Sequence, residues 1–138
     1  MTQAKALILV ADDDDLTRRL VGYILESIGL EVIEASDGAE AINIAHSKRP
    51  AVILMDVIMR GMDGYTALGE LKKNPQTSGI PVVMLTGIDL EMNRKLAQGL
   101  GSSGYLTKPF ARQDLLEAVG RFIPVVATQI AAKESQVR

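Results

Sequence analysis

The run Ala6-Leu7-Ile8-Leu9-Val10-Ala11 contains no polar residue and stops on four aspartates, Asp12 to Asp15. Two other runs are built alike: Ala51-Val52-Ile53-Leu54-Met55 stops on Asp56, and Ile80 to Leu85 stops on Thr86-Gly87. A strand with one wet face alternates apolar and polar residues, whereas a continuous apolar run fits a strand buried on both faces. Such strands belong in a parallel sheet with helices packed on either side. These runs therefore constrain the fold to the α/β class before any other feature is weighed.

Helical periodicity fills the intervals. Leu16, Leu20, Val21, Ile24, Leu25 and Ile28 recur at helical spacing, with Gly29 as the stop. Glu31 to Ala35 reads as a brief strand. Asp37-Gly38-Ala39-Glu40 reads as a helix start with a capping glutamate, and that helix ends near Arg49. A glycine-bearing loop, Arg60 to Gly64, leads to a helix over about Tyr65 to Lys73, and a further helix spans about Glu91 to Leu100. Gly104 to Thr107 is a last strand, ending on Lys108-Pro109. Leu115, Leu116, Val119, Phe122 and Ile123 make a final helix that Pro124 should stop. The pattern is five strand–helix units without repeats.

Composition removes several function classes. The 138 residues suffice for one domain with a full core. Cysteine is absent, which excludes disulfides, thiolate catalysis and zinc–thiolate sites, and the single histidine, His46, excludes a histidine metal cluster. A net charge of −2 gives no electrostatic footprint for nucleic acid. No apolar run approaches the roughly 18 residues of a membrane span, and no signal-peptide pattern opens the chain, so a cytoplasmic protein without membrane insertion is expected.

In open parallel sheets, ligands sit beyond the carboxyl ends of the strands. Asp12 and Asp13, Asp56, Thr86 and Lys108 all fall at that edge. Two carboxylates about 4 Å apart repel by roughly 4 kcal/mol at an effective dielectric of about 20. Crowded carboxylates therefore suit a hard cation with oxygen ligands, such as Mg²⁺. Asp14 or Asp15 has a different task, capping the first helix. A calcium loop counted from Asp12 fails, because Thr17 stands where glycine is needed and Tyr23 where glutamate is needed.

At these residues the chain resembles the receiver domain of two-component response regulators, the CheY-like fold, from about Lys5 to Ile123. The resemblance rests on the acidic pair Asp12-Asp13, on Asp56, on the turn Met62-Asp63-Gly64, on Thr86, and on Tyr105-Leu106-Thr107-Lys108-Pro109-Phe110. It implies a flavodoxin-like, doubly wound five-stranded parallel sheet in the order 2-1-3-4-5, with five helices on two faces. The receiver would cover residues 5–123, followed by a tail, 124–138. There Val126, Ile130 and Val137 form a weak helical stripe that could serve a dimer contact.

The resemblance also implies roles. Asp56 would accept a phosphoryl group as a carboxylate nucleophile. Mg²⁺ would be held by Asp13, Asp56 and the backbone carbonyl of Ile58, with Asp12 reaching it through water. Lys108, the Thr86 hydroxyl and the Gly87 N–H would bind the phosphoryl oxygens, and Thr86 and Tyr105 would form the switch. Lys108 would precede a cis peptide at Pro109. The partners implied are a sensor histidine kinase or phosphotransfer protein and a downstream target protein. The short tail leaves no room for a DNA-binding domain, so the expectation is a stand-alone regulator acting by protein contact, unless the chain is a piece of a longer one. The reaction would be limited to its own phosphorylation and dephosphorylation.

Three other classes fit the sequence less well. A pseudo-receiver that binds partners without phosphorylation is the alternative, disfavoured by the intact set of Asp12, Asp13, Asp56, Thr86 and Lys108. A phosphatase or mutase would want a second acid where Ile58 stands, and a flavodoxin relative would want a phosphate-cradling loop in place of the aspartates. Arg18 and Arg19 read as a solvated face, with kinase docking the lesser option. His46 reads as a surface residue, and the methionines as core or loop packing. Arg60 departs from the resembled family, which usually has proline there; it keeps an N–H and adds a charge. Ser103-Gly104 replaces a common acidic pair, and Gly87 leaves room for a phosphate.

Overall fold

The computed structural model describes residues 5–87, 91–124 and 126. The strands are β1 (Leu7–Ala11), β2 (Glu31–Ala35), β3 (Val52–Asp56), β4 (Val82–Thr86) and β5 (Gly104–Thr107). Between and after them lie α1 (Asp15–Ser27), α2 (Gly38–Lys48), α3 (Gly64–Lys73), α4 (Glu91–Gly99) and α5 (Arg112–Gly120). The sheet has the expected order β2-β1-β3-β4-β5, and every pairing is parallel.

The apolar runs are explained by two cores, one on each face. Leu9, Ala11, Ile53, Met55, Val82 and Met84 pack with Ala41, Ala45, Leu68, Leu71 and Ala97 from α2, α3 and α4. Their sequence neighbours Ile8, Val10, Val52, Leu54, Val83 and Leu85 pack with Val21, Leu25, Leu115 and Val119 from α1 and α5. Successive side chains point to opposite faces, and both faces are dry, so no position in β3 or β4 is available to a polar residue until the strand end. The edge strands differ: Glu31 and Glu34 of β2 are exposed, and all of β5 is only half-buried.

Local signals set the helix ends. Asp14 is the N-cap of α1, its carboxylate accepting from the Thr17 N–H at 3.2 Å. At the other end, Gly29 has φ +92°, its N–H donates to the Glu26 carbonyl, and the Leu30 N–H reaches back to the Leu25 carbonyl. These two bonds make a Schellman cap, which requires a residue at ease in left-handed backbone. Asp37 caps α2 at 2.8 Å from the Glu40 N–H, but the Glu40 carboxylate turns to the Ser36 hydroxyl at 3.1 Å. Asp63 caps α3 through the Thr66 N–H at 2.8 Å.

Some boundaries move. β3 and β4 begin later than expected, at Val52 and Val82, and include Asp56 and Thr86 as their last residues. Ile80 stays outside β4; the Pro81 carbonyl still accepts from the Ile53 N–H, but proline has no N–H to return. α5 ends at Gly120, so Pro124 does not stop it. Pro124 and Val126 are themselves helical, Val126 is buried in the α1/α5 core, and its N–H donates to the Ile123 carbonyl. Proline suits a helix start, where its missing N–H costs nothing. The rest of the expected tail stripe, Ile130 and Val137, lies outside the described residues. Met92 is 77% exposed and so is not packing, unlike Met55 and Met84. His46 is exposed in the last turn of α2.

Candidate functional site at the carboxyl end of the sheet

The ends of β1, β3, β4 and β5 bring Asp12, Asp13, Asp56, Thr86 and Lys108 together, as their strand-end positions require. Carboxylate oxygens of Asp12, Asp13 and Asp56 lie within 4.8 Å of one another. Asp12 is fully buried, and Asp56 and Thr86 are buried. The Lys108 ammonium stands between two of the acids, 2.7 Å from Asp12 Oδ2 and 3.3 Å from Asp56 Oδ2. Its placement is tied to β4, since the Lys108 N–H donates to the Thr86 carbonyl at 2.6 Å. The Lys108–Pro109 peptide is cis, as expected.

The four aspartates coexist because each meets its own donors. Asp12 accepts from Lys108 through Oδ2 and from the Asp14 N–H through Oδ1 at 2.9 Å. Asp13 accepts from the Arg60 N–H at 3.1 Å. Asp14 caps α1, and the Thr17 hydroxyl beside it holds its carboxyl below the ordinary carboxylate range. Asp15 pairs with Arg18. Two of the four thus serve the site, and two serve the helix start.

Arg18 is not a solvated residue. Its side chain is only 13% exposed, and its guanidinium also binds the Asp12 carbonyl at 2.5 Å and Glu34 at 3.1 Å. It clamps the β1–α1 corner to β2, a role sequence reading missed because Glu34 becomes its neighbour only once β2 lies beside β1.

The electrostatics separate the acids. Burial, aided by the Asp12 charge, pushes the Asp56 carboxyl up from 3.8 to about 6, against the pull of Lys108. Burial would lower Lys108, but its bonds to Asp12 and Asp56 outweigh that and hold it above the ordinary lysine value. The ammonium therefore stays charged at neutral pH.

Gly87 is exposed, and a Cβ added there would meet nothing within 4 Å, so the space beside it is open without requiring glycine. Gly64 is different: its added Cβ would fall 2.1 Å from the Asp56 carbonyl oxygen. The Met62-Asp63-Gly64 turn thus combines a cap for α3 with a close approach of that helix to the β3 end. Ile58 is 63% exposed. Tyr105 is half-buried on β5; the Arg94 guanidinium lies 4.7 Å from its ring centroid and donates to the Thr107 hydroxyl at 3.2 Å. Burial, with Tyr105 beside it, raises Tyr65. Sequence reading gave neither Arg94 nor Tyr65 a role at the site, and no local pattern marks one, since they join Tyr105 only across separate elements.

A five-stranded 2-1-3-4-5 sheet with an acidic pocket and a lysine at its carboxyl edge defines the class of phosphorelay receivers. The response regulator receiver domain matches residues 8–120, and this chain belongs to that family. It is 34% identical over 114 residues to the PilH protein of Pseudomonas aeruginosa, covering 83% of this chain and 94% of that one. Against other curated relatives it spans about half their length, 43% of one and 53% of another. Among solved structures, the chemotaxis response regulator CheY4 of Vibrio cholerae superposes with a TM-score of 0.82 at 32% identity, covering 87% of this chain and all of that one. The receiver domain of a sensor histidine kinase from Pseudomonas aeruginosa, with magnesium coordinated in its active-site cleft, gives a TM-score of 0.81 at 30% identity, covering 88% and 99%. The protein is a receiver of two-component phosphorelay signalling, a signalling module of the kind that interacts with histidine kinases and downstream effectors. Among the described residues, no helix is long and apolar enough to cross a membrane.

Proposed function

We propose that Asp56 is the phosphoryl acceptor, charged by a sensor histidine kinase or phosphotransfer protein, and that its phosphorylation reshapes the Thr86–Tyr105 side of the domain for a downstream target protein. The observation that carries this reading is Lys108 bridging Asp12 and Asp56 inside a buried acidic pocket. The donor set fits Mg²⁺: clustered carboxylate oxygens with no nitrogen or sulfur ligand. Asp13, Asp56 and the Ile58 carbonyl would hold the ion. Asp12 has both oxygens engaged, which suits contact through water. When bound, the ion supplies charge neutralisation for the transferred group.

The remaining work falls to the chain. An Asp56 oxygen attacks phosphorus, the bond to the donor breaks, and an acyl phosphate results. Lys108 then faces a phosphoryl oxygen as a fixed point charge. The Thr86 hydroxyl and Gly87 N–H donate to the others, and Tyr105 follows Thr86 as the pocket fills. The receiver spans residues 5–123, followed by a tail, 124–138, and a dimer contact through that tail would have to use residues other than the buried Val126. The protein acts in the cytoplasm, without direct nucleic-acid contact or membrane insertion, and promotes only its own phosphorylation and dephosphorylation. Incubation with acetyl phosphate and Mg²⁺, read by intact mass, should add one phosphoryl group to the wild type and none to Asp56→Asn. Labelling of that variant in the same pocket would overturn the assignment. No labelling of either protein, with partner binding unchanged by the donor, would favour a pseudo-receiver.

A further inference from the structure

The site contains a second cation. Arg60 follows β3 in the loop to α3, and two of its nitrogens address one oxygen of Asp13: the backbone N–H at 3.1 Å and Nε at 3.7 Å from Oδ2. The two contacts differ in kind. The N–H is fixed by the loop and takes one lone pair, leaving another for a metal. The guanidinium is a full charge on a side chain that is 87% exposed, against 27% for Asp13. Lys108, by contrast, is only 27% exposed and lies against Asp12 and Asp56. Asp13 is thus the one member of the acidic trio whose charged partner stands at the mouth of the pocket.

We propose that Arg60 is a built-in counter-ion that competes with the divalent metal for Asp13, and so sets the metal concentration at which the site fills. The inference rests on the reading of Asp13 as a metal ligand. A dication at Asp13 repels a guanidinium a few ångströms away, so loading must displace the side chain, while the N–H can stay and orient the carboxylate. An exposed pair is weak, which makes Arg60 a threshold and not a barrier.

The test is Mg²⁺ titration without any phosphodonor, followed by amide chemical shifts or calorimetry. Arg60→Ala keeps the N–H and removes the charge; it should bind Mg²⁺ roughly three- to tenfold more tightly than the wild type. Arg60→Lys should stay near the wild type, and Arg60→Pro, which also loses the N–H, should gain less than Arg60→Ala. The difference between wild type and Arg60→Ala should shrink as salt is raised. A gain in affinity cannot come from a damaged fold. Equal Mg²⁺ affinity in wild type and Arg60→Ala would overturn this inference and leave the metal reading standing. No Mg²⁺ binding by any of the proteins would overturn both.

Discussion

The ends of β1 and β3 both place aspartates in one pocket, yet they treat them differently. Asp12, at the β1 end, is tied at every polar atom: its N–H donates to the Ala35 carbonyl, its carbonyl accepts from Arg18, and its two carboxylate oxygens take the Asp14 N–H and Lys108. Asp56, at the β3 end, shares Lys108 at the longer distance of 3.3 Å and sits with its carboxyl raised to about 6. One carboxylate is saturated with donors and belongs to the scaffold. The other lies against Lys108 with its carboxyl raised by burial, and a perturbed buried carboxylate is the one with most to gain from a new electrophile or cation.

The sharpest way to break the contrast is at Gly64, where α3 presses on the β3 end. Gly64→Ala puts a methyl 2.1 Å from the Asp56 carbonyl oxygen, and backbone cannot yield as a side-chain tip can. A loss of roughly 3 kcal/mol or more is expected in urea unfolding. Gly87→Ala, with open space around the added methyl, should lose far less. Equal losses would mean that the β3 end is not crowded as described.

Next comes the charge on Asp56. A carboxyl raised from 3.8 to about 6 binds its proton more tightly folded than unfolded, so ionising it works against folding. Stability from this group is therefore greatest below about pH 4 and is lost as pH rises through about 6. Asp56→Asn removes that penalty. In EDTA it should be more stable than the wild type at pH 7.5, by an amount that solvent screening reduces, with the gap closing by about pH 4. A gap independent of pH would mean that Asp56 is not perturbed by burial.

Much of this arrangement was legible in the chain, for a physical reason. Strands buried on both faces admit no polar residue, so Asp56 and Thr86 had to mark strand ends, and parallel strands put those ends on one edge. Asp37 and Gly29 were legible because caps are local chemistry. What stayed hidden depends on pairing between distant segments. Arg18 looks solvated until β2 brings Glu34 alongside, and Arg94 has no visible task until β5 brings Tyr105 and Thr107. The helix end near Arg49 was legible, but its left-handed backbone at φ 47° was not, for the local reason that no glycine announces it.

The clamp at Arg18 gives a smaller test of the saturated end. Arg18→Met keeps the aliphatic length but removes three acceptors' partner, and hydrogen bonds to charged groups matter more than neutral ones. With Asp15 and Glu34 able to turn to water, the cost should be about 1–2 kcal/mol by urea midpoint. Glu34→Gln should cost less, because the bonds to Asp12 and Asp15 remain. If Glu34→Gln costs as much as Arg18→Met, the corner is held from β2 alone.

The smallest effect concerns the lifetime of the phosphorylated state. Hydrolysis of an acyl phosphate at Asp56 would need a water aligned opposite the Asp56 oxygen, and we propose that this water passes Ile58, two residues beyond Asp56. That side chain is 63% exposed, branched at Cβ, and able to neither donate nor accept a hydrogen bond. On this proposal it would border the approach without orienting what passes. Ile88, two residues beyond Thr86, lies outside the described residues. Positioning supplies much of the rate in phosphoryl transfer, so a polar side chain at this height should restore some of it. Ile58→Asn should speed loss of the label in Mg²⁺ by roughly fivefold, about 1 kcal/mol of barrier. Ile58→Val, apolar and slightly smaller, separates the two contributions: if it accelerates decay as much as Ile58→Asn, bulk alone sets the lifetime. Unchanged decay in both variants would mean that water reaches the phosphoryl group by another path, with Arg60, the exposed charge at the same mouth, the next side chain to remove.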